Sequence, residues 1–127
     1  MNVNQKQIDD LIFRLNGAAM QVLNKLGHGL REKTYERALC VELNFQEVKY
    51  EQQKRYPVLY RNVKVDEYIP DLEVEKILLL DTKVIAKIGD IEIGQMLNFL
   101  KITKKSVGLI QNFKYPKLEW RVVHSKD

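Results

Sequence analysis

Apolar residues in the first part of the chain recur at Ile8, Leu11, Ile12, Leu15, Ala18, Ala19, Val22, Leu23 and Leu26. This is the three-and-four spacing that gathers side chains on one face of a helix. Gly27 and Gly29 follow, and glycine just past the last periodic residue ends a helix. A second helix is expected from about Glu32 to Gln46, with Tyr35, Ala38, Leu39 and Leu43 on one face. Past Val48 the period falls to two, and β-branched and aromatic residues take over. Strands are expected over Val48 to Tyr60, Val63 to Val74 and Ile77 to Ile85, with a turn at Arg61-Asn62. Pro57 falls in the first of these, which a strand tolerates mainly at an edge or bulge. The run Ile77 to Leu80 is apolar on both faces, as in a central strand. Helical spacing resumes after Gly89 at Ile91, Met96, Leu97 and Leu100 and ends near Thr103; two further β runs, Ser106 to Phe113 and Leu118 to Val123, close the pattern. The order is helix, helix, three antiparallel-looking strands, helix, strand, strand. It predicts a mixed α/β or α+β sheet covered by helices.

The 127 residues contain no internal repeat, low-complexity tract or linker-like stretch, so one domain over residues 1–127 is expected. The single cysteine, Cys40, has no partner for an intramolecular disulfide and reads as a small core residue between Leu39 and Val41. The first ten residues, MNVNQKQIDD, lack the apolar core of a signal peptide, and no apolar run approaches the roughly 18 residues of a membrane span. A cytoplasmic protein without membrane partners is therefore expected. The net charge of +4 is unevenly placed. Residues 1–100 hold 14 Lys and Arg against 15 Asp and Glu, whereas residues 101–127 hold 7 against 2. A basic segment suits a polyanionic partner, since each phosphate contact releases counterions. A solvated lysine-rich face is the alternative.

The third expected strand carries Asp81-Thr82-Lys83 directly after four apolar residues. Strand alternation puts Asp81 and Lys83 on one face and Thr82 on the other. Asp71, between Pro70 and Leu72 in the neighbouring strand, lies within reach of Asp81 across the hairpin. Two carboxylates suit Mg²⁺, which takes one or two of them beside waters and substrate phosphate. A lysine beside them can orient or deprotonate an attacking water and stabilise charge on phosphorus. The arrangement makes a demand on register. A plain two-residue loop pairing Val74 with Ile77 would set Asp71 opposite Leu80 and turn Asp81 away. A three-residue loop over Glu75, Lys76 and Ile77, or one bulge, sets Asp71 opposite Asp81, and the odd register is therefore predicted. A surface ladder of salt bridges is the competing reading of the same residues.

The stretch Gly29 to Tyr35 has the form G-x-x-E-x-x-Y and resembles the GxxExxY family of the PD-(D/E)xK nuclease superfamily. The blocks LGHGLREKTYERAL, YIPDLEV, LLLDTKV, GQMLNFLK and GLIQNF are similar to that family's in order and spacing, from about Ile12 to Val123. The resemblance implies a restriction-endonuclease-like αβββαβ core with a mixed central sheet flanked by helices. It also implies roles. Asp71 and Asp81 match the metal-binding acids, Lys83 the catalytic lysine, and Glu32 an acid on the first core helix that reaches the metal through water. Gln95 matches a polar position that faces the same site. Asp81 stands where glutamate is commoner, Thr82 where an apolar residue is usual, and Ala86 and Glu92 where a carboxylate and a histidine often occur.

These expectations describe a Mg²⁺-dependent (or Mn²⁺-dependent) nuclease acting on DNA or RNA, DNA being preferred. Asp71, Asp81 and the Thr82 carbonyl would hold the metal, Lys83 would serve the water, and Glu32 and Gln95 would assist. Lys101, Lys104, Lys105, Lys114 and Lys117 would contact phosphates, and Trp120 or Tyr115 would stack on a base. A homodimer or a protein partner would supply substrate choice, which so small a chain lacks a domain to make. The alternative is an inactive nuclease fold that binds nucleic acid or protein.

Overall fold

A computed structural model describes residues 3–126. Two helices lead. Helix α1 (Gln5–Leu26) starts at Asn4, whose side chain accepts from the Gln7 N–H while the Gln7 side chain accepts from the Asn4 N–H, so two otherwise orphaned donors are satisfied at once. Helix α2 (Glu32–Phe45) follows a short loop. The strands are β1 (Tyr50–Glu51), β2 (Tyr56–Tyr60), β3 (Val63–Tyr68), β4 (Leu72–Val74) and β5 (Leu78–Lys83). Helix α3 (Asp90–Thr103) then leads to β6 (Val107–Asn112) and β7 (Glu119–His124).

The main sheet has the order β1-β4-β5-β6-β7. Only the β5–β6 pair is parallel, as expected for two strands joined through a crossover helix. The sheet is thus mixed, and helices flank it. The apolar faces of α1 and α2 pack on one side with Leu72, Val74, Leu78, Leu80, Val107 and Leu109. On the other side α3 covers Leu79, Ile110 and Val123 through Met96 and Leu100. Cys40 is buried, as expected for a small core residue.

The first two expected strands differ from the structure in an instructive way. Each is split. The run from Val48 divides into β1 and β2, because residues 52–55 turn away from the sheet, with Gln53 in the left-handed region at φ 60. The returning run divides at Ile69-Pro70-Asp71 into β3 and β4. Proline has no N–H to give a ladder, so it ends β3. As a result β2 and β3 form a separate two-stranded sheet, turning at Arg61-Asn62, both in the left-handed region that suits a tight hairpin. Tyr68 ties this hairpin to α3 by stacking on Phe99, with ring centroids 4.0 Å apart.

Candidate metal centre

In the main sheet Val74 pairs with Leu78 and Leu72 with Leu80. Carried one residue on, this register sets Asp71 opposite Asp81, so the odd hairpin is present. Ile77 is the residue left over. Glu75 and Lys76 sit in the left-handed region at φ 53 and 59, and the Ile77 N–H closes the turn on the Val74 carbonyl at 2.8 Å. Just before β4 begins, Asp71 reaches across to its neighbour strand: its Oδ2 accepts from the Thr82 N–H at 2.9 Å and from the Thr82 hydroxyl at 3.1 Å. Those bonds fix the carboxylate. Lys83 is one strand repeat past Asp81 on the same face, and its Nζ lies 3.3 Å from Asp81 Oδ2.

The third carboxylate arrives from the helical layer. Glu32 opens α2, and the loop before it is closed by Tyr35 one turn later. The buried Tyr35 hydroxyl donates to the Gly27 carbonyl at 2.7 Å and accepts from the Leu30 N–H at 3.1 Å. Its ring stacks on Phe113 with centroids 4.8 Å apart. Gly29, at φ 98, takes a backbone conformation that other residues reach only with strain. The three spaced residues Gly29, Glu32 and Tyr35 therefore act as one device: the glycine bends the loop, the tyrosine pins it, and the glutamate is held over the sheet. Glu32, Asp71 and Asp81 each offer one carboxylate oxygen, and these oxygens lie within 4.8 Å of one another.

So many acids close together perturb one another. Burial and the neighbouring Asp71 carboxylate push Asp81 up from 3.8 to about 8, against the opposing pull of Lys83. Burial, then repulsion from Asp71, also raises Glu32. Burial alone would lower Lys83, but Asp81, Glu32 and Asp71 outweigh it and raise its pKa, so the ammonium is firmly held. A set of hard oxygen donors whose mutual repulsion Lys83 only partly offsets is what an oxygen-seeking divalent cation fits.

The other expected site residues fall in different places. Thr82 is buried and holds Asp71 through its N–H and hydroxyl. Gln95 is exposed on α3 and makes none of the hydrogen bonds that tie the carboxylates together. The five lysines divide between the two ends of the sheet. Lys101, Lys104 and Lys105 line a hollow of about 730 Å³ where β6 begins, and Lys105 is occupied there, donating to the Lys76 carbonyl at 2.9 Å and lying 3.8 Å from Glu73. Lys114 and Lys117 sit in the β6–β7 loop, at the end where β5 delivers Lys83 beside Asn112. Both are exposed. Trp120 and Tyr115 are about half exposed.

Sequence reading missed the brace behind Lys83. The Lys83 carbonyl accepts from the Phe113 N–H at 2.9 Å, and the Asn112 side chain bonds both the N–H and the carbonyl of Ile85, at 3.1 and 2.8 Å. Glu119 accepts from Asn112 and from the Ile88 N–H, and the Tyr115 hydroxyl donates to the Ala86 carbonyl. Asn112 thus prolongs the β5–β6 pairing where the strand has ended. A buried asparagine at the end of an apolar strand was the available signal. Glu36, one turn past Glu32, was also missed; it is buried and paired with Lys33 at 3.1 Å.

The family model described as the PD-(D/E)XK nuclease superfamily matches residues 9–123. No curated protein and no solved structure matches the chain.

Proposed function

The chain belongs to the PD-(D/E)XK nuclease superfamily, and on that premise we propose that it is a divalent-metal-dependent nuclease hydrolysing phosphodiester bonds in DNA or RNA. The observation that carries the proposal is the meeting of Glu32, Asp71 and Asp81 within 4.8 Å, with Lys83 ion-paired to Asp81. The G-x-x-E-x-x-Y device at Gly29, Glu32 and Tyr35 supports placing the chain in the GxxExxY branch of that superfamily. Asp71 and Asp81 would hold Mg²⁺ or Mn²⁺ directly, with the Thr82 carbonyl as a further ligand and Glu32 acting through water. Such an ion supplies polarisation of the phosphoryl oxygen and eases ionisation of water. The chain's own residues then do the rest. Thr82 fixes the Asp71 carboxylate through its N–H and hydroxyl. Lys83, whose pKa the surrounding acids raise, acts as a fixed cation that orients the attacking water and offsets charge building on phosphorus. The general-base role for Lys83 fits this electrostatic setting less well.

Cleavage assays on single- and double-stranded DNA and RNA, with Mg²⁺ or Mn²⁺, test the proposal. Lys83→Ala is expected to lower the rate by about 10²- to 10³-fold, the range seen when one charge-stabilising donor is removed, with Asp81→Ala at least as severe. Equal cleavage by wild type and both variants would refute the site. No cleavage by the wild type, together with salt-sensitive binding, would instead favour a nucleic-acid-binding module.

A further inference from the structure

Helix α1 and the edge strand β7 enclose an apolar groove of about 590 Å³ that includes none of the three clustered carboxylates and is lined among others by Phe13, Gly17, Met20, Trp120, Val122 and His124. Three large side chains open onto solvent here: Phe13 is 80% exposed, Met20 44% and Trp120 43%. Solitary exposed apolar residues are ordinary, but a contiguous set over a groove marks an interaction surface. The charged side chain in its lining is Asp9, and no lysine or arginine contributes, so a polyanion has nothing to pair with.

We propose that this groove is the interface of a two-fold homodimer, in which the Phe13 ring of each copy enters the hollow over Gly17 of the other. The surface is self-complementary, which is what an isologous interface requires. Phe13 and Gly17 stand one helical turn apart on α1 and form a knob and a hole. A Cβ built on Gly17 meets no atom within 4 Å, so the hole is open to a side chain from outside. Two antiparallel α1 helices would seat both knobs in both holes about one axis. The sheet allows the same axis. β7 is the end of the strand order, with β6 on one side, so alternate main-chain groups face outward. A two-fold normal to the sheet pairs two copies of β7 antiparallel and lays the two α1 helices antiparallel on the same face. One operation therefore satisfies helix and strand together.

The area is adequate. Phe13, Met20 and Trp120 offer roughly 330 Å² between them, taking about 200 Å² for a fully exposed large side chain. That is about two-fifths of the roughly 800 Å² that each partner commonly contributes. The strand edge, Val122, His124 and the rim of α1 supply the remainder. The interface shares no residue with the carboxylate cluster and stands whether or not the chain cleaves nucleic acid.

Sedimentation equilibrium of the full chain over a wide concentration range reads the outcome, with Trp120, the one tryptophan of the sequence, as an internal reporter. The expected mass approaches twice the 15.0 kDa of the chain, and Trp120 emission shifts to the blue as the dimer forms. Phe13→Glu is expected to raise the dissociation constant about 30-fold or more, as hot-spot truncations do. Gly17→Glu is expected to do the same while adding helical propensity to the monomer. Phe13 is 80% exposed and a Cβ on Gly17 has open space around it, so circular dichroism should show unchanged folds. A concentration-independent mass of one chain, open-ended assembly, or a dimer that neither substitution weakens would overturn the proposal.

Discussion

Asp81 is pulled two ways. Its place between Asp71 and Lys83 suits cation binding, yet burial and the adjacent carboxylate push its pKa up to about 8. The folded chain thus keeps a proton that the unfolded chain, near 3.8, has already released. The group's contribution to stability is complete below the unfolded value and is lost as pH climbs toward the folded one. The metal-free protein should therefore lose stability across that window, and Asp81→Asn, neutral throughout, should flatten the slope. Urea unfolding at a series of pH values measures it; a slope that survives Asp81→Asn would place its origin elsewhere. Tyr35 gives a second prediction at this scale. Tyr35→Phe keeps the stack on Phe113 but leaves the Gly27 carbonyl and Leu30 N–H without their partner. A loss of about 1–3 kcal/mol is expected in denaturant unfolding. With its loop unpinned, Glu32 should also drift, so Mn²⁺ affinity should fall in the same variant.

The elements show where packing, rather than local preference, decides. Gly108 lies on β6 directly beneath α3, and a methyl group there would fall 2.7 Å from Met96 Cγ. Gly108→Ala should cost about 1–3 kcal/mol by overpacking. Met96→Ala made together with it should recover part of the loss, so the double variant will be less unstable than the sum of the single ones. Asn112→Ala would strip both peptide groups of Ile85 of their side-chain partner. It should lower the cleavage rate with little change in substrate binding, because it frees the segment just past Lys83. The hairpin register was legible in the sequence: Asp71 and Asp81 share a face only if one residue is left over between β4 and β5, and Ile77 is that residue. The two split strands were not legible. Nothing in the period-two pattern of residues 48–74 marks where a ladder stops, and the breaks at Gln53 and Pro70 act through backbone conformation and a missing donor, not through polarity. The Asn112 brace was hidden for a related reason: its partners are the main-chain groups of Ile85, 27 positions away.

At the scale of the whole molecule, charge along the sequence is a poor map of charge in space. The excess of lysine after residue 100 reads as one basic segment, but the α3–β6 crossover and the β6–β7 turn send its members to opposite ends of the sheet. Lys101, Lys104 and Lys105 gather where the parallel strands begin, and Lys114 and Lys117 where they end, the end that carries Lys83. Periodicity could not show this, since it depends on the direction of β6, which is set by its parallel pairing with β5. If a nucleic acid lies across the carboxylates, its phosphates pass Lys114 and Lys117. Lys114→Glu and Lys117→Glu should then weaken binding broadly across sequences, and each should reduce the slope of log affinity against log salt by about 0.9 on duplex DNA. Lys101→Glu and Lys104→Glu carry the same change in net charge and should leave that slope nearly unaltered. Comparing the four variants in salt titrations separates local contact from overall charge: if all four behave alike, the chain holds polyanions through its general field, and the end of the sheet bearing Lys83 has no special claim on the substrate.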